Sequence, residues 1–264
     1  LDNDPYSVLV DGRLFWIVDA YTTTTNYPYS QPSAEGINYM RNSVKVVVDA
    51  FNGTVTFYVV DDTDPVIQTY GKIFPDLLTP GDQMPASLRA HLRYPEDLFK
   101  TQASMYTTYH MTDPKVFYNK EDQWNLPRQQ TGSSTAPIDP YYVIMSLPGE
   151  RSEEFMLMLP FTPGSRDNMI AWMAAKSDPD TYGQRLVFRF PKDKLVFGPT
   201  QIQSRFNQDP NISSQITLWS QSGSQVIFGN LLVIPIEESI LYVQPLYLRA
   251  ERSQIPELKR VLVS

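Results

Sequence analysis

Two histidines, His91 and His110, are the only imidazoles in this chain, and cysteine is absent. A nucleophilic mechanism needs a hydroxyl or thiol beside a base. With no thiol and no G-x-S-x-G turn, that chemistry would have to rest on one of these two rings. His110 follows Tyr109 and precedes Asp113 by three residues. A carboxylate at that distance could hold the ring, or the ring could close the end of its helix, where cations are favoured. The capping reading is preferred. His91 lies between Arg89 and Arg93, which share a helix face one turn apart, and reads as a surface or partly buried helix residue.

Metal and phosphate chemistry find less. Asp178-Pro179-Asp180-Thr181-Tyr182-Gly183 imitates the start of a calcium loop, but Tyr182 replaces an oxygen ligand and Arg189 stands where the closing glutamate belongs. The pairs Glu153-Glu154 and Glu237-Glu238 are adjacent, so on a strand their carboxylates point to opposite faces. No glycine-rich phosphate cradle is present. No metal and no cofactor are expected.

Aromatic density is the remaining lead. Tyr106, Tyr109, Tyr118 and Trp124, with His110, Asp113, Arg89 and Arg93 nearby in sequence, could form a surface for a ligand or a partner protein. The alternative is that these rings line the edge of a core and bond loop carbonyls, and it is preferred because exposed apolar patches are uncommon in monomers.

The elements that must position these residues are short. Val44–Val60 reads as a hairpin with Asn52-Gly53 as a two-residue type I′ turn, which sets Ala50 opposite Val55, Val48 opposite Phe57 and Val46 opposite Val59. Asp64-Pro65 starts a helix over 65–74, and Pro85 and Pro95 start helices over 85–93 and 95–110. In the last, Phe99, Ala103, Tyr106 and His110 form one stripe. Arg13–Ala20 reads as a buried strand. Residues 128–140 lack periodicity and read as a linker or long loop between an α+β part, 1–127, and a β-rich part, 141–264. Strands are expected at Glu154–Pro160, Arg185–Phe190, Gln225–Pro235 and Ile240–Leu248, and helices at Asn168–Lys176 and Thr200–Gln208. Without regular βαβ alternation, this mixture predicts an α+β fold with mainly antiparallel sheet, several short helices and long Pro- and Tyr-rich loops.

Composition bounds the function class. A net charge of −7 argues against a nucleic-acid surface, which needs clustered Lys and Arg. It equally disfavours adhesion to an anionic bilayer. No window reaches the ~20 apolar residues of a membrane helix. The chain begins at Leu1 and is read as a piece of a longer protein.

Several segments carry a resemblance. Met84-Pro85, Leu88-Arg89, His91-Leu92-Arg93-Tyr94-Pro95-Glu96-Asp97-Leu98-Phe99, Tyr109-His110, Asp113-Pro114 and Phe117-Tyr118-Asn119 resemble uncharacterised protein family 0182. So do Gly12–Ala20, Tyr27-Pro28-Tyr29-Ser30, Leu147-Pro148-Gly149-Glu150, Pro160-Phe161-Thr162-Pro163 and Gly229–Pro235. The family comprises large bacterial multi-pass membrane proteins with a long soluble region. The resemblance implies a soluble, extracytoplasmic, non-catalytic domain of a cell-membrane protein, engaged in assembly or in binding an unknown protein or envelope component. A hydrolase or transferase acting on envelope polymers is the alternative.

Overall fold

Asp11 and Gly12 both lie at positive φ, 50° and 76°. Val10 therefore pairs directly with Arg13 across a two-residue type I′ turn, joining β1 (Tyr6–Val10) to β2 (Arg13–Thr24). The computed structural model describes all residues except 34–35, 132–133, 148, 151, 221–222, 237–238 and 251–254. The Glu237-Glu238 pair thus lies outside the described residues.

The hairpin of β3 (Tyr39–Asp49) and β4 (Val55–Val59) corrects the expected register. Of Asn52 and Gly53 only Gly53 has positive φ, whereas a type I′ turn needs both. Asp49 Oδ1 accepts from Phe51 N, Asp49 N donates to Thr54 O, and a longer loop replaces the tight turn. Val48 then faces Val55, Val46 faces Phe57 and Val44 faces Val59. Every partner moves by two residues relative to the expected register. Because side chains alternate with period two, the slip leaves each valine on its expected face. Ala50 and Phe51 leave the ladder, and the expected pairing of Phe51 with Thr54 is lost.

β5 (Leu78–Pro80) adds a parallel edge, giving the order β1-β2-β3-β4-β5. On one face α1 (Pro65–Ile73) packs Ile67 against Val44 and Val46. On the other, Tyr6, Val8, Ile17 and Val47 meet Met84, Leu88 and Leu92. The helix expected over 85–93 shrinks to one turn, α2 (Ala86–Arg89), closed at Ala90, whose N donates to Ala86 O and Leu88 O. α3 (Glu96–Tyr109) receives a cap from far away in sequence: Asp2 Oδ2 accepts from Asp97 N at 3.0 Å. α4 (Pro114–Asn119) follows.

A second sheet has the order β12-β11-β10-β6, with β9 also on β10. Its strands are β6 (Trp124–Asn125), β9 (Tyr141–Ser146), β10 (Glu153–Pro163), β11 (Ala171–Lys176) and β12 (Arg185–Arg189). β11 replaces the helix expected over 168–176. All six residues of Ala-Trp-Met-Ala-Ala-Lys are buried, so packing in a central strand overrides the helix preference of Ala and Met. The expected linker holds a small hairpin, β7 (Arg128–Thr131) with β8 (Ser134–Pro137).

The third sheet is built on β15 (Ser239–Ala250), which pairs β14 (Leu232–Ile236), β13 (Ser224–Phe228) and β16 (Glu257–Val263). The single strand expected at 225–235 is thus two. Helices α5 (Pro199–Gln208) and α6 (Pro210–Ser220, capped by Asp209) contribute Ile202 and Phe206, and Ile212 and Ile216, to a core with Leu231, Val233 and Leu246. The fold is α+β with mostly antiparallel sheets. Two compact units divide the chain: Leu1–Gln102 with Glu154–Leu157 and Ala175–Gln184, and Ala103–Glu153 with Met158–Ala174 and Arg185–Ser264. That division falls elsewhere than at residues 128–140.

Gly198 is held by crowding and not by a positive φ. A Cβ on Gly198, at the start of α5, would stand 1.8 Å from Asp167 O. Gly198→Ala is expected to cost about 1–3 kcal/mol by overpacking, read as a lowered urea midpoint. Gly71→Ala, inside α1 where a Cβ would make one ordinary contact, 3.7 Å to Leu78 Cδ1, serves as the control that should not lower the midpoint.

Candidate functional site

The second unit gathers the chain's densest cluster of rings. The expected stripe of α3 brings Tyr106 and His110 to one side, and β6 supplies Trp124. Gln123 fastens that junction, donating from Nε2 to Thr107 O and accepting at Oε1 from Thr108 Oγ1. Trp124 and His110 stack with centroids 3.8 Å apart and planes at 24°. Tyr106 meets Trp124 edge-on at 6.0 Å, and Phe161 of β10 lies 5.5 Å from it. Arg189 of β12 places its guanidinium 5.1 Å from the indole centroid, within cation–π range.

The hydrogen bonds fix the tautomer of His110. Its Nδ1 lies 2.9 Å from Tyr106 O. A carbonyl only accepts, so Nδ1 carries the proton, and in the neutral ring Nε2 is a bare acceptor. Nε2 has no hydrogen-bond partner among the described residues, nor has Trp124 Nε1, although His110 is only 6% and Trp124 only 1% exposed. Asp122 Oδ2 stands 3.7 Å from Nε2, beyond hydrogen-bond range.

The other expected site residues are placed elsewhere. Asp113 does not hold His110: its carboxylate caps α4, accepting from Lys115 N at 2.8 Å and Val116 N at 3.0 Å. Tyr109 pairs outward with Phe117, centroids 5.6 Å apart, and Tyr118 is exposed. Arg89 and Arg93 belong to the first unit, where Arg89 donates to Gly81 O and Arg93 lies 4.5 Å over the Tyr6 ring. His91 is exposed and bonds locally to Ser87 O. Of the eight expected residues, the nest unites Tyr106, His110 and Trp124. It adds Asp122, which sequence proximity could have flagged, and Phe161 and Arg189, which only strand pairing brings in. No group of three or more metal-ligating residues occurs among the described residues, at Asp178–Gly183 or elsewhere.

The first unit buries charge. Lys45, wholly inaccessible, contacts the Asp19 carboxylate, donates to Arg93 O at 2.9 Å and lies 5.2 Å over the Tyr182 ring. Burial pushes the Asp19 carboxyl up, and the Lys45 ammonium opposes that rise. Tyr182, whose hydroxyl donates to the same Arg93 carbonyl, is raised well above a normal phenol by burial. Asp64 shows the opposite outcome. Burial raises it, but hydrogen bonds from Ser43, Thr22, Tyr39 and Val66 N outweigh burial and hold its carboxyl at about 2.

Outside, the first sheet is bare at one end. Val18 and Ala20 pack in the cluster under α1, but Trp16 and Leu14, of the same parity, are exposed. Leu14 pairs with Leu9, 67% exposed, and Trp16 pairs with Val48, which pairs with exposed Val55. Phe51, at the tip of the β3–β4 loop, is 89% exposed. The expectation of a buried strand at 13–20 thus holds only for its inner half. Among the described residues, Leu14 and Trp16 of the outer half stay exposed.

Comparison with known proteins places this chain. The model of an uncharacterised protein family, UPF0182, matches residues 1–219. A UPF0182 protein of Pelotomaculum thermopropionicum is 57% identical over 263 residues, covering 100% of this chain and 29% of the relative. One from Trichodesmium erythraeum is 54% identical and one from Methanospirillum hungatei 56% identical, each over 100% of this chain and over 31% and 30% of the relatives. The chain thus spans less than a third of the length of these relatives. No solved structure matches it. With a family model over most of its length and such relatives over all of it, the chain belongs to uncharacterised protein family UPF0182.

Proposed function

We propose that this chain is a non-catalytic contact domain of a larger multi-pass membrane protein, lying outside the bilayer on the extracytoplasmic side and seated in the protein's assembly through the bare end of its first sheet. The observation that carries the reading is that Leu9 and Leu14 stand exposed as a cross-strand pair, with exposed Trp16 linked through Val48 to exposed Val55, and that Phe51 is exposed on the loop between β3 and β4. Contiguous exposed apolar surface of this kind marks contact sites. The length of the relatives supports it, since most of each relative is polypeptide that this chain does not include. The location rests on the family resemblance. In keeping with it, no helix among the described residues is long and apolar enough to cross a membrane.

The absence of cysteine makes the test clean. Single cysteines at Trp16 or Phe51 should react freely with a maleimide in the isolated chain and be protected in a full-length relative freed of other cysteines. Tyr118→Cys, at a position 86% exposed, should label in both. A membrane-impermeant maleimide should reach it on intact cells. Equal labelling of Trp16→Cys in isolated and full-length protein would refute the seating, and labelling of Tyr118→Cys only after lysis would refute the location.

A further inference from the structure

Beside α1 runs an open groove of about 750 Å3, within the usual range for binding sites. Its lining includes apolar residues from three elements: Val59 of β4, Ile67 of α1, and Leu78 and Pro80 of β5. Two carboxylates, Asp62 and Asp82, stand on its lining, and neither has a hydrogen-bond or ion-pair partner among the described residues. Arg89, also on the lining, donates to Gly81 O but keeps its charge, so two carboxylates against one guanidinium leave the lining net negative.

The walls show why the groove stays open. Gly71 sits inside α1, where glycine costs about 1 kcal/mol relative to alanine. Nothing in the packing demands it, since a Cβ there would make one ordinary contact, 3.7 Å to Leu78 Cδ1. The glycine gives up helix stability and leaves the wall bare. Opposite, a Cβ on Gly81 would stand 2.2 Å from Val59 O, so the turn carrying Asp82 is pressed against β4 and fixed.

We propose that this groove takes a protein segment bearing lysine or arginine. An aliphatic stem would lie on the valine, isoleucine, leucine and proline of the lining, as long cationic side chains lie along apolar surface. Its charged head would meet Asp62 and Asp82. An acidic segment is disfavoured by the same two carboxylates, and like-charge juxtaposition at an interface costs several kcal/mol. The inference deepens the contact reading above by giving the chemistry of one partner segment, and it uses a different part of the first unit.

Titration of the 15N-labelled chain with a capped Gly-Lys-Leu-Lys-Gly peptide should move the amide signals of Gly71 and Gly81. The Asp62→Asn/Asp82→Asn double variant, altered only at exposed positions, should bind about tenfold more weakly. The glutamate version of the peptide should show a loss at least as large, and Gly71→Phe should block the groove sterically. A Trp16→Ser/Phe51→Ser variant should bind the lysine peptide like the parent, so failure of the seating through the bare sheet end and failure of the groove are separately visible. No shift at Gly71 and Gly81, equal binding of the glutamate peptide, or unchanged binding by the double variant would each overturn the proposal.

Discussion

Lys45→Met is expected to cost the chain about 3–5 kcal/mol, because removing one partner of a buried pair leaves the other as an uncompensated charge. Asp19 is that other partner, 2% exposed at the back of β2. The substitution also removes the donor to Arg93 O and the cation over Tyr182. A loss of this size takes a large part of the 5–15 kcal/mol typical of a domain. Urea unfolding of the variant should show a much lower midpoint. Lys45→Met/Asp19→Leu should recover most of the loss, since replacing both partners by apolar groups removes the stranded charge. A single variant within about 1 kcal/mol of the parent would mean that the pair is not held out of water.

Asp64→Ala is expected to cost about 3–4 kcal/mol, from a lost N-cap and from buried hydroxyl donors left without an acceptor. The carboxylate, wholly inaccessible, accepts from Thr22 Oγ1, from Ser43 Oγ at 2.6 Å, from Tyr39 OH at 2.6 Å and from Val66 N at 3.0 Å. It thereby ties β2, β3 and α1 together. Its acidity gives the loss a pH signature. The folded value, about 2, lies below the ordinary aspartate value. The charged form is therefore the stabilising one. Its contribution is fully present above the ordinary aspartate range and disappears as pH falls through about 2. The stability gap between the parent and Asp64→Asn should be wide at neutral pH and should narrow across that acidic window. A gap that does not change with pH would show that the hydroxyls do not favour the ionised form.

How much was legible depends on the range of the interaction. Asp64-Pro65 announced α1 because a cap and a fixed φ act within a few residues. The stripe of α3 was legible for the same reason, and it brought Tyr106 and His110 to one side. Asn52-Gly53 misled because the carboxylate of Asp49 accepts from Phe51 N in a longer loop where Asn52 does not take the positive φ of a type I′ turn, while Asp11-Gly12, an equally strong turn signal, made the tight hairpin. Ala171–Lys176 misled because propensity was read where burial decided. The cap of α3 by Asp2 had no local sign at all, since the partners are 95 positions apart.

The sequence by itself determined the family, through a resemblance along the chain, and, through spacing over a few residues, the α+β class, the start of α1 and the faces taken by the β3 and β4 side chains. Tertiary structure alone decided which faces are covered. It set Arg189 and Phe161 around the His110–Trp124 stack, separated Asp113 from that stack by spending it on a cap, and put Lys45 in the interior. It also left Leu9, Leu14 and Trp16 in water. The physical reason is that periodicity shows which residues share a face, whereas only the arrival of another element, placed by contacts distant in sequence, removes that face from solvent.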